Sequence, residues 1–209
     1  MTLSKRIFDL TLVFLMLPFL LPVIIVTSIT VLVMQGRPIF YVSERMKTAD
    51  QGFALWKFRT MTADHTDSGA SGGHKSARIT PLGQKLRKFR VDELPQLWNI
   101  FRGDMSYVGP RPPLRRYVEL RPDLYKKVLE CRPGVTGLAT IVYNKEETRL
   151  LQSSKTSAEN ESIYLNRCVP RKAHIDLIYK RHQSVLLDLY IIIATLNKRL
   201  RAAPKRPKH

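Results

Sequence analysis

Two adjacent carboxylates, Asp92 and Glu93, stand in a part of the sequence that is otherwise strongly basic. The stretch just before them contains six cations and no acid, namely Lys75, Arg78, Lys85, Arg87, Lys88 and Arg90. This density of positive charge keeps carboxylates ionised and attracts phosphates. Of two neighbouring carboxylates in unlike surroundings, one can act as nucleophile or metal ligand while the other accepts a proton. In the alternative interpretation they only cap a helix and interact with its dipole.

A second basic motif, at residues 103–112, has glycine and proline close to Arg111. These residues fix a tight backbone path that would present one guanidinium rigidly, as bidentate phosphate binding requires. A structural turn whose arginine faces solvent is the other interpretation. Together the two motifs are suited to a diphosphate held beside two carboxylates.

Two helices are predicted to position these motifs. The first begins at Thr80, a plausible N-cap, with Pro81 in the favoured first position. Its apolar positions follow one helical face: Leu82, Leu86 and Phe89. The second is predicted to begin at the two carboxylates, which would lie in its first turn, and to end at Gly103.

A β-hairpin is predicted before these helices. Two short β-like segments, residues 39–42 and 53–58, are separated by a polar turn at 48–52. Residues 62–78 are predicted to form a loop, because they are rich in glycine and serine. A metal site is the less favoured interpretation of that stretch, with these ligands: Asp64, His65, Asp67 and His74.

The most apolar part of the chain lies between Ile7 and Met34, where Asp9 is the one charged residue. A straight helix of this length would extend about 42 Å, enough to span a hydrocarbon core of about 30 Å. Pro18 and Pro22 predict a bend near its middle, and each remaining arm is too short to cross alone. A cleavable signal peptide is an alternative, but no small-residue cleavage site follows the apolar run.

Basic residues flank this segment on both sides: Lys5, Arg6, Arg37, Arg45 and Lys47. Positive charge on both sides favours a cytoplasmic location for both ends. Residues 1–36 are therefore predicted to form a re-entrant membrane helix, anchored by Lys5 and Arg6 and bent at the two prolines. A kinked helix that spans the membrane is the alternative.

A second apolar stretch, residues 185–200, is interrupted by Asp188 and is too short to span a membrane. It predicts either an interfacial helix or a core helix. The basic residues 201–209 that follow would lie near anionic headgroups or form a solvated tail.

The composition limits the possible classes of protein. With 35 Lys and Arg against 17 Asp and Glu in 209 residues, the formal net charge is +18. Such a surface attracts anionic lipid, nucleotide phosphates and nucleic acid, although no recognised nucleic-acid motif is present and no nucleic-acid partner is predicted. Two cysteines exclude a disulfide scaffold and favour a reducing compartment. An apolar share of 44% excludes a wholly disordered chain.

Five motifs follow one another along nearly the whole chain: residues 5–9 (KRIFD), 56–61 (WKFRTM), 91–99 (VDELPQLWN), 103–112 (GDMSYVGPRP) and 132–137 (RPGVTG). In this order they resemble the bacterial sugar transferase family, the monotopic phosphoglycosyl transferases. The resemblance implies transfer of a sugar phosphate from a UDP-sugar to polyprenyl (undecaprenyl) phosphate, with Mg²⁺ as cofactor. This reaction is the first membrane step of a bacterial surface polysaccharide or glycoconjugate. The short length is similar to members that consist of the catalytic unit alone.

The resemblance also implies roles for single residues. Asp92 would attack the β-phosphate, expel UMP, carry the phosphosugar as a covalent adduct and contact the metal. Glu93 would act as the general base towards polyprenyl phosphate. The implied substrate-binding residues are Lys57, Arg59, Arg87, Arg111 and Asp176.

The predicted fold is α+β and mainly helical, with a small β-hairpin and catalytic helices at the membrane surface. Three parts are expected: the re-entrant helix (residues 1–36), a catalytic domain (37–200) on the cytoplasmic face of the bacterial inner membrane, and a basic tail (201–209). The expected partners are a UDP-sugar, polyprenyl phosphate and membrane lipids, and a homodimer is left open.

The chain departs from the family pattern after Gly137, so the resemblance does not indicate which sugar is used. Two other functions stay open on the sequence. One is a non-catalytic basic module that binds anionic lipid or nucleic acid at the membrane. The other is a glycosyltransferase that moves the sugar alone and releases UDP.

Overall fold

The structure, a computed structural model, describes residues 2–62, 78–154 and 156–197. Most of the predicted loop at 62–78, with its alternative metal ligands, lies outside the described residues, as does the basic tail 201–209. The helices are α1 (Leu3–Gln35), α2 (Pro81–Lys88), α3 (Gln96–Arg102), α4 (Arg115–Leu120), α5 (Pro122–Val128), α6 (Leu138–Gln152), α7 (Ser157–Ile163), α8 (Val169–His182) and α9 (Val185–Leu196). The strands are β1 (Phe40–Met46), β2 (Gly52–Phe58), β3 (Ser106–Val108) and β4 (Gly134–Thr136). The predicted α+β, mainly helical class is confirmed.

The first helix, α1, is unbroken over 33 residues and is about 50 Å long. Its backbone stays helical at both Pro18 and Pro22. The residues that it buries recur on one side: Lys5, Asp9, Val13, Thr27 and Val31. This inner stripe packs against α3 and the hairpin, in two apolar clusters centred on Ile100 and Phe58. The helix therefore lies along the rest of the protein rather than projecting from it, and the predicted re-entrant bend stays a prediction.

Strands β1 and β2 form the predicted hairpin, paired antiparallel from Phe40 opposite Phe58 to Met46 opposite Gly52. Strand β1 is longer than the predicted 39–42. Polar residues at its far end obscure the strand pattern in the sequence, but the ladder continues to the buried side chain of Met46. The hairpin supplies the platform on which α3 and the Asp92 region pack.

Strands β3 and β4 form a short parallel pair that joins two of the sequence motifs. The pairing requires glycine, because a Cβ on Gly134 would lie 2.2 Å from the backbone nitrogen of Gly109. A Cβ on Gly109 would in turn lie 2.1 Å from the carbonyl oxygen of Arg132. These glycines let the two backbones approach and so fix the start of the loop that carries Arg111.

Helix α9 has the buried inner side of the core-helix interpretation, and the interfacial interpretation stays a prediction. Its inner side buries Asp188, Ile191 and Ala194. Its outer side exposes Leu186, Leu189, Tyr190, Ile193 and Leu196. The helix is thus part of the core on one face and an apolar surface on the other.

Candidate active site

The two carboxylates lie in a single 3₁₀ turn, Val91–Glu93, between α2 and α3. The prediction that they occupy the first turn of α3 is wrong, because α3 begins only at Gln96. Pro95 contributes to the difference: it has no amide N–H to donate to the Val91 carbonyl, so the hydrogen bond that would open an α-helix at Val91 is missing. The N–H of Leu94 instead donates to the Val91 carbonyl at 3.1 Å, which gives the tighter turn. The start of α2 is as predicted, since the Thr80 hydroxyl accepts from the N–H of Gly83 at 2.9 Å.

Glu93 is held by two cations. Its Oε1 lies 3.0 Å from Lys57 Nζ, and its Oε2 lies 2.8 Å from an Arg90 guanidinium nitrogen. Arg90 has a left-handed backbone conformation (φ 58°), which turns the chain between α2 and the 3₁₀ turn. Burial alone would raise the pKa of Glu93, but the positive charges of Lys57, Arg90 and Arg111 outweigh it and lower that pKa to about 2. Glu93 is therefore a fully ionised, firmly positioned carboxylate.

Asp92 is in the opposite situation. It is buried, and its carboxylate makes no hydrogen bond or ion pair with the side chains that the structure describes. Burial raises its pKa, as does the adjacent negative charge of Glu93, while Lys57 and Arg87 act in the other direction. The two carboxylates thus differ as expected for a divided role, with Asp92 free to react and Glu93 engaged.

The predicted basic residues divide into two groups. Lys57, Arg87 and Arg111 act electrostatically on the carboxylate pair, and Arg87 is oriented by donating to the Thr60 hydroxyl at 2.9 Å. Arg59 instead donates to backbone carbonyls at the end of α1, including that of Gly36 at 2.8 Å. These contacts give Arg59 a role in holding α1, and they lend no support to its predicted role in substrate binding.

The predicted membrane-anchoring cations also have protein partners. Lys5 forms a buried ion pair with Asp188 of α9. Arg6 donates to the carbonyls of Ile100 and Phe101, at 2.7 Å each, and so caps the end of α3. Both side chains tie the first turn of α1 to the rest of the protein rather than extending towards lipid headgroups.

Arg111 is presented by a loop whose backbone is fixed on both sides. The N–H of Gly109 donates to the Thr136 carbonyl at 2.9 Å, and the N–H of Gly134 donates to the Pro110 carbonyl at 2.8 Å. Beyond Arg111, the Pro113 carbonyl accepts from the N–H of Met46 at 3.0 Å. The Arg111 side chain itself is exposed. The backbone path around Arg111 is therefore fixed as predicted, whereas rigid presentation of its exposed guanidinium stays a prediction.

A polar cavity of about 370 Å³ opens beside Arg111. Its charged and amide-bearing lining residues are Arg45, Arg111, Asn144, Glu147, Lys172 and Asp176. Asp176, predicted to bind substrate, is buried in this wall, where burial raises its pKa to about 7 although Lys172 and the backbone of Ala139 act in the other direction. Lys172 is paired with Glu147 at 2.8 Å.

An apolar groove of about 550 Å³ lies beside the segment that follows the carboxylate pair. Leu94 and Pro95, which directly follow Glu93, line it together with Trp56, the neighbour of Lys57. Residues of α1 and α3 complete the lining, among them Phe14, Leu17, Trp98 and Phe101. The carboxylate pair is thus linked to the polar cavity through Arg111, whose charge acts on Glu93, and to the apolar groove through Leu94 and Pro95.

Comparison with known proteins identifies the family. The family described as "Bacterial sugar transferase" matches residues 1–202. The chain belongs to the bacterial sugar transferase family. Helix α1 is also long and apolar enough to cross a membrane, as expected of a membrane-associated member.

Several curated members of the family are similar to this chain. The uncharacterised sugar transferase EpsL of Bacillus subtilis is 34% identical over 93% of this chain and 86% of its own length. The exopolysaccharide production protein ExoY of Sinorhizobium fredii is 33% identical over 92% of this chain and 84% of its own. A UDP-glucose:undecaprenyl-phosphate glucose-1-phosphate transferase of Klebsiella pneumoniae is 31% identical over 93% of this chain, which spans only 39% of that enzyme.

One functional candidate was missed in the sequence of this sugar transferase. Arg45 contributes to the polar cavity from the end of β1, yet its sequence position suggested only a flanking positive charge. The signal that identifies it is spatial: the loop after Arg111 bonds to the end of β1, which brings distant residues to one wall. No local sequence pattern predicts a contact between segments so far apart in the chain.

The family implies Mg²⁺, and the residues present could bind it through a single carboxylate, that of Asp92. Among the described residues no group of three or more His, Cys, Asp or Glu is arranged to hold a metal ion. Protein sites for Mg²⁺ often use only one or two carboxylates, completed by substrate phosphates and water. Asp92 fits that pattern because its carboxylate has no partner among the described side chains, whereas Glu93 is occupied by Lys57 and Arg90.

Proposed function

We propose that this protein is a phosphoglycosyl transferase that moves a sugar 1-phosphate from a UDP-sugar to polyprenyl phosphate and releases UMP. The observation that carries the proposal is a pair of unlike surfaces next to the carboxylate segment: Arg111, whose charge lowers the pKa of Glu93, lines a polar cavity, and Leu94 and Pro95 line an apolar groove. A sugar nucleotide and a polyprenyl chain are the two substrates that such unlike surfaces suit. The Klebsiella pneumoniae relative, a UDP-glucose:undecaprenyl-phosphate glucose-1-phosphate transferase, supports the same general reaction.

In the proposed reaction two displacements occur at one phosphorus atom. A carboxylate oxygen of Asp92 attacks the β-phosphorus of the donor, and the bond from that phosphorus to the bridging oxygen breaks. UMP leaves with the bridging oxygen and its electron pair. A phosphate oxygen of polyprenyl phosphate then attacks the same phosphorus and expels the Asp92 carboxylate, which regenerates the enzyme.

The cations around the carboxylates compensate phosphate charge during both steps. Arg87 and Arg111 would bind phosphate oxygens, and Mg²⁺ bound by Asp92 and the donor would supply further positive charge that reduces repulsion of the nucleophile. Glu93 is a weak base while Lys57 and Arg90 hold it, since its pKa is about 2. When donor phosphates attract these two cations, the pKa of Glu93 rises and the carboxylate can accept a proton from polyprenyl phosphate.

The proposal includes a monotopic position on the cytoplasmic face of the inner membrane. Both ends of α1 contact the same domain: Lys5 binds Asp188 at one end, and the Gln35 side chain contacts Thr80 at 3.2 Å at the other. A helix held in this way cannot place its ends on opposite sides of a bilayer while the domain stays on one side. Its exposed apolar side, with Phe14, Phe19 and Val33, would lie in the lipid.

Cysteine labels are expected to reach both ends of α1 from the same side. Thr2→Cys and Gly36→Cys, each in a variant lacking Cys131 and Cys168, should react with a membrane-impermeant maleimide in inside-out vesicles and not in right-side-out ones. Val185→Cys, at the start of α9, serves as a reference for the domain side. Labelling of the two α1 positions from opposite sides would show a spanning helix and contradict the monotopic position.

Donor affinity is expected to fall as the pH rises through about 7. Asp176 is neutral below this pKa and negatively charged above it, so its ionisation places a negative charge in the wall of the polar cavity. UDP-sugars do not titrate in this range. Asp176→Asn should remove the step from a profile of donor KM against pH, and a flat profile in the unchanged enzyme would contradict the raised pKa.

The test of the function is to identify the nucleotide that leaves. Protein in nanodiscs, with Mg²⁺, polyprenyl phosphate and a panel of UDP-sugars, is expected to release more than one equivalent of UMP per enzyme only when the lipid phosphate is present. UDP release would indicate a glycosyltransferase instead. Binding of anionic vesicles without turnover of any donor would favour the non-catalytic basic module.

A further inference from the structure

Arg45 lies at the end of β1, where the hairpin meets the loop that carries Arg111. The N–H of Met46 donates to the Pro113 carbonyl at 3.0 Å, and Arg45 Nη1 lies 3.5 Å from the Pro112 carbonyl. These contacts hold the two segments together. As a result Arg45 and Arg111 line the same polar cavity.

Arg45 lacks an acidic partner among the residues that the structure describes. Its Nε is buried and makes no hydrogen bond there. The adjacent carboxylate of Glu44 is turned outward and paired with Arg115 at 2.7 Å. Burial, followed by the positive charge of Arg111, lowers the pKa of Arg45. A buried donor without an acceptor is unfavourable unless a ligand supplies the acceptor.

The two acidic residues of the cavity do not balance its three cations. Glu147 is paired with Lys172. Asp176 has a pKa of about 7 and accepts a hydrogen bond from the backbone N–H of Ala139. The cavity therefore carries an excess of positive charge contributed by its two arginines. Such a pair of guanidinium groups suits an anion with several oxygens on adjacent phosphorus atoms.

We propose that Arg45 and Arg111 together bind the diphosphate of the sugar nucleotide, with Arg45 as a binding residue that acts before any bond is broken. This inference rests on the proposed function for the identity of the donor. The same diphosphate chemistry occurs in the polyprenyl diphosphate-linked product, so a lipid diphosphate is the other possible source of the anion. Arg45 would then contribute to the affinity for the donor and little to the chemical step.

The experiment measures equilibrium binding to protein in nanodiscs, with UDP, inorganic pyrophosphate and a water-soluble short-chain polyprenyl diphosphate as probes. Arg45→Met is expected to weaken UDP and pyrophosphate binding about ten- to hundredfold, because a charge-assisted hydrogen bond is lost. Arg45→Lys keeps the charge but not the planar guanidinium, so it should lower the affinity for UDP and pyrophosphate several-fold. Arg115→Met, at the start of α4, where Arg115 pairs with Glu44 on the outer side of the hairpin, is the matched control and should leave UDP affinity unchanged.

The outcomes separate this inference from the proposed function. Undiminished binding of UDP and pyrophosphate to folded Arg45→Met would overturn it, and so would a loss confined to the polyprenyl diphosphate. If Arg45→Met does not fold, the UDP affinities of Arg45→Lys and Arg115→Met are compared instead. Equal affinities in these two variants would then overturn the inference. Where UMP release is measurable, Arg45→Lys should raise the donor KM with kcat nearly constant. Binding is measured without catalysis. Weaker UDP binding in the Arg45 variants would therefore support the diphosphate site even if no UDP-sugar is turned over.

Discussion

Asp92→Asn is expected to lower UMP release at least about a thousandfold, since an isosteric amide removes the attacking carboxylate. Asp92 is the free member of the carboxylate pair, so the substitution breaks no hydrogen bond or ion pair with a described side chain. The loss should therefore appear in turnover and not in folding. The measurement is the initial rate of UMP release, together with the thermal midpoint and the fraction of protein in the membrane pellet.

Mass spectrometry of the intact protein gives a second readout of the same change. Incubation with the UDP-sugar but without polyprenyl phosphate should add one phosphosugar to the unchanged enzyme and none to Asp92→Asn. Asp123→Asn, an exposed change in the first turn of α5, is the control and should react like the unchanged enzyme. Normal turnover in Asp92→Asn would exclude a covalent mechanism through this residue.

Asp188→Leu is expected to destabilise the protein by about 3 to 5 kcal/mol, because it leaves the charge of Lys5 buried without a partner. The side chains of Lys5 and Asp188 are only 3% and 1% exposed. Asp188 also accepts a hydrogen bond from the Tyr179 hydroxyl at 2.6 Å, so one carboxylate joins α1, α8 and α9. Thermal or denaturant unfolding in detergent micelles measures the effect.

The double variant Lys5→Met with Asp188→Leu separates the charge effect from general disruption. Replacement of both members of a buried ion pair by apolar residues is often neutral, so most of the lost stability should return. Asp50→Leu, at an exposed position in the hairpin turn, is the surface control and should change stability little. A double variant as unstable as Asp188→Leu would show that packing, and not the ion pair, dominates at this position.

Local signals in the sequence predicted the elements around the carboxylate pair well. The Thr80 cap and the Pro81 start of α2 are confirmed, and α3 ends at Gly103 as predicted. These features depend on residues within one or two turns of each other. The misplacement of Asp92 and Glu93 in α3 also has a local cause, the missing N–H of Pro95.

Features that depend on distant pairing were not predictable in the same way. Strands β3 and β4 have three residues each, too few for an alternating pattern, and they pair only because two glycine motifs meet. Lys5 and Arg6 resemble lipid anchors in the sequence, but their partners lie about a hundred or more residues away. Arg45 belongs to the same class, since only the fold brings it to the cavity of Arg111.

The inner stripe of α1 has a consequence for how this enzyme can be handled and how it can evolve. The apolar cluster that receives it contains Phe53, Leu55, Leu97, Ile100 and Met105. Removal of residues 1–36 would expose this cluster to water, so a truncated, water-soluble catalytic fragment is not a viable species. For the same reason the helix cannot be exchanged for an unrelated membrane anchor, because the element that holds the enzyme in lipid also completes its hydrophobic core.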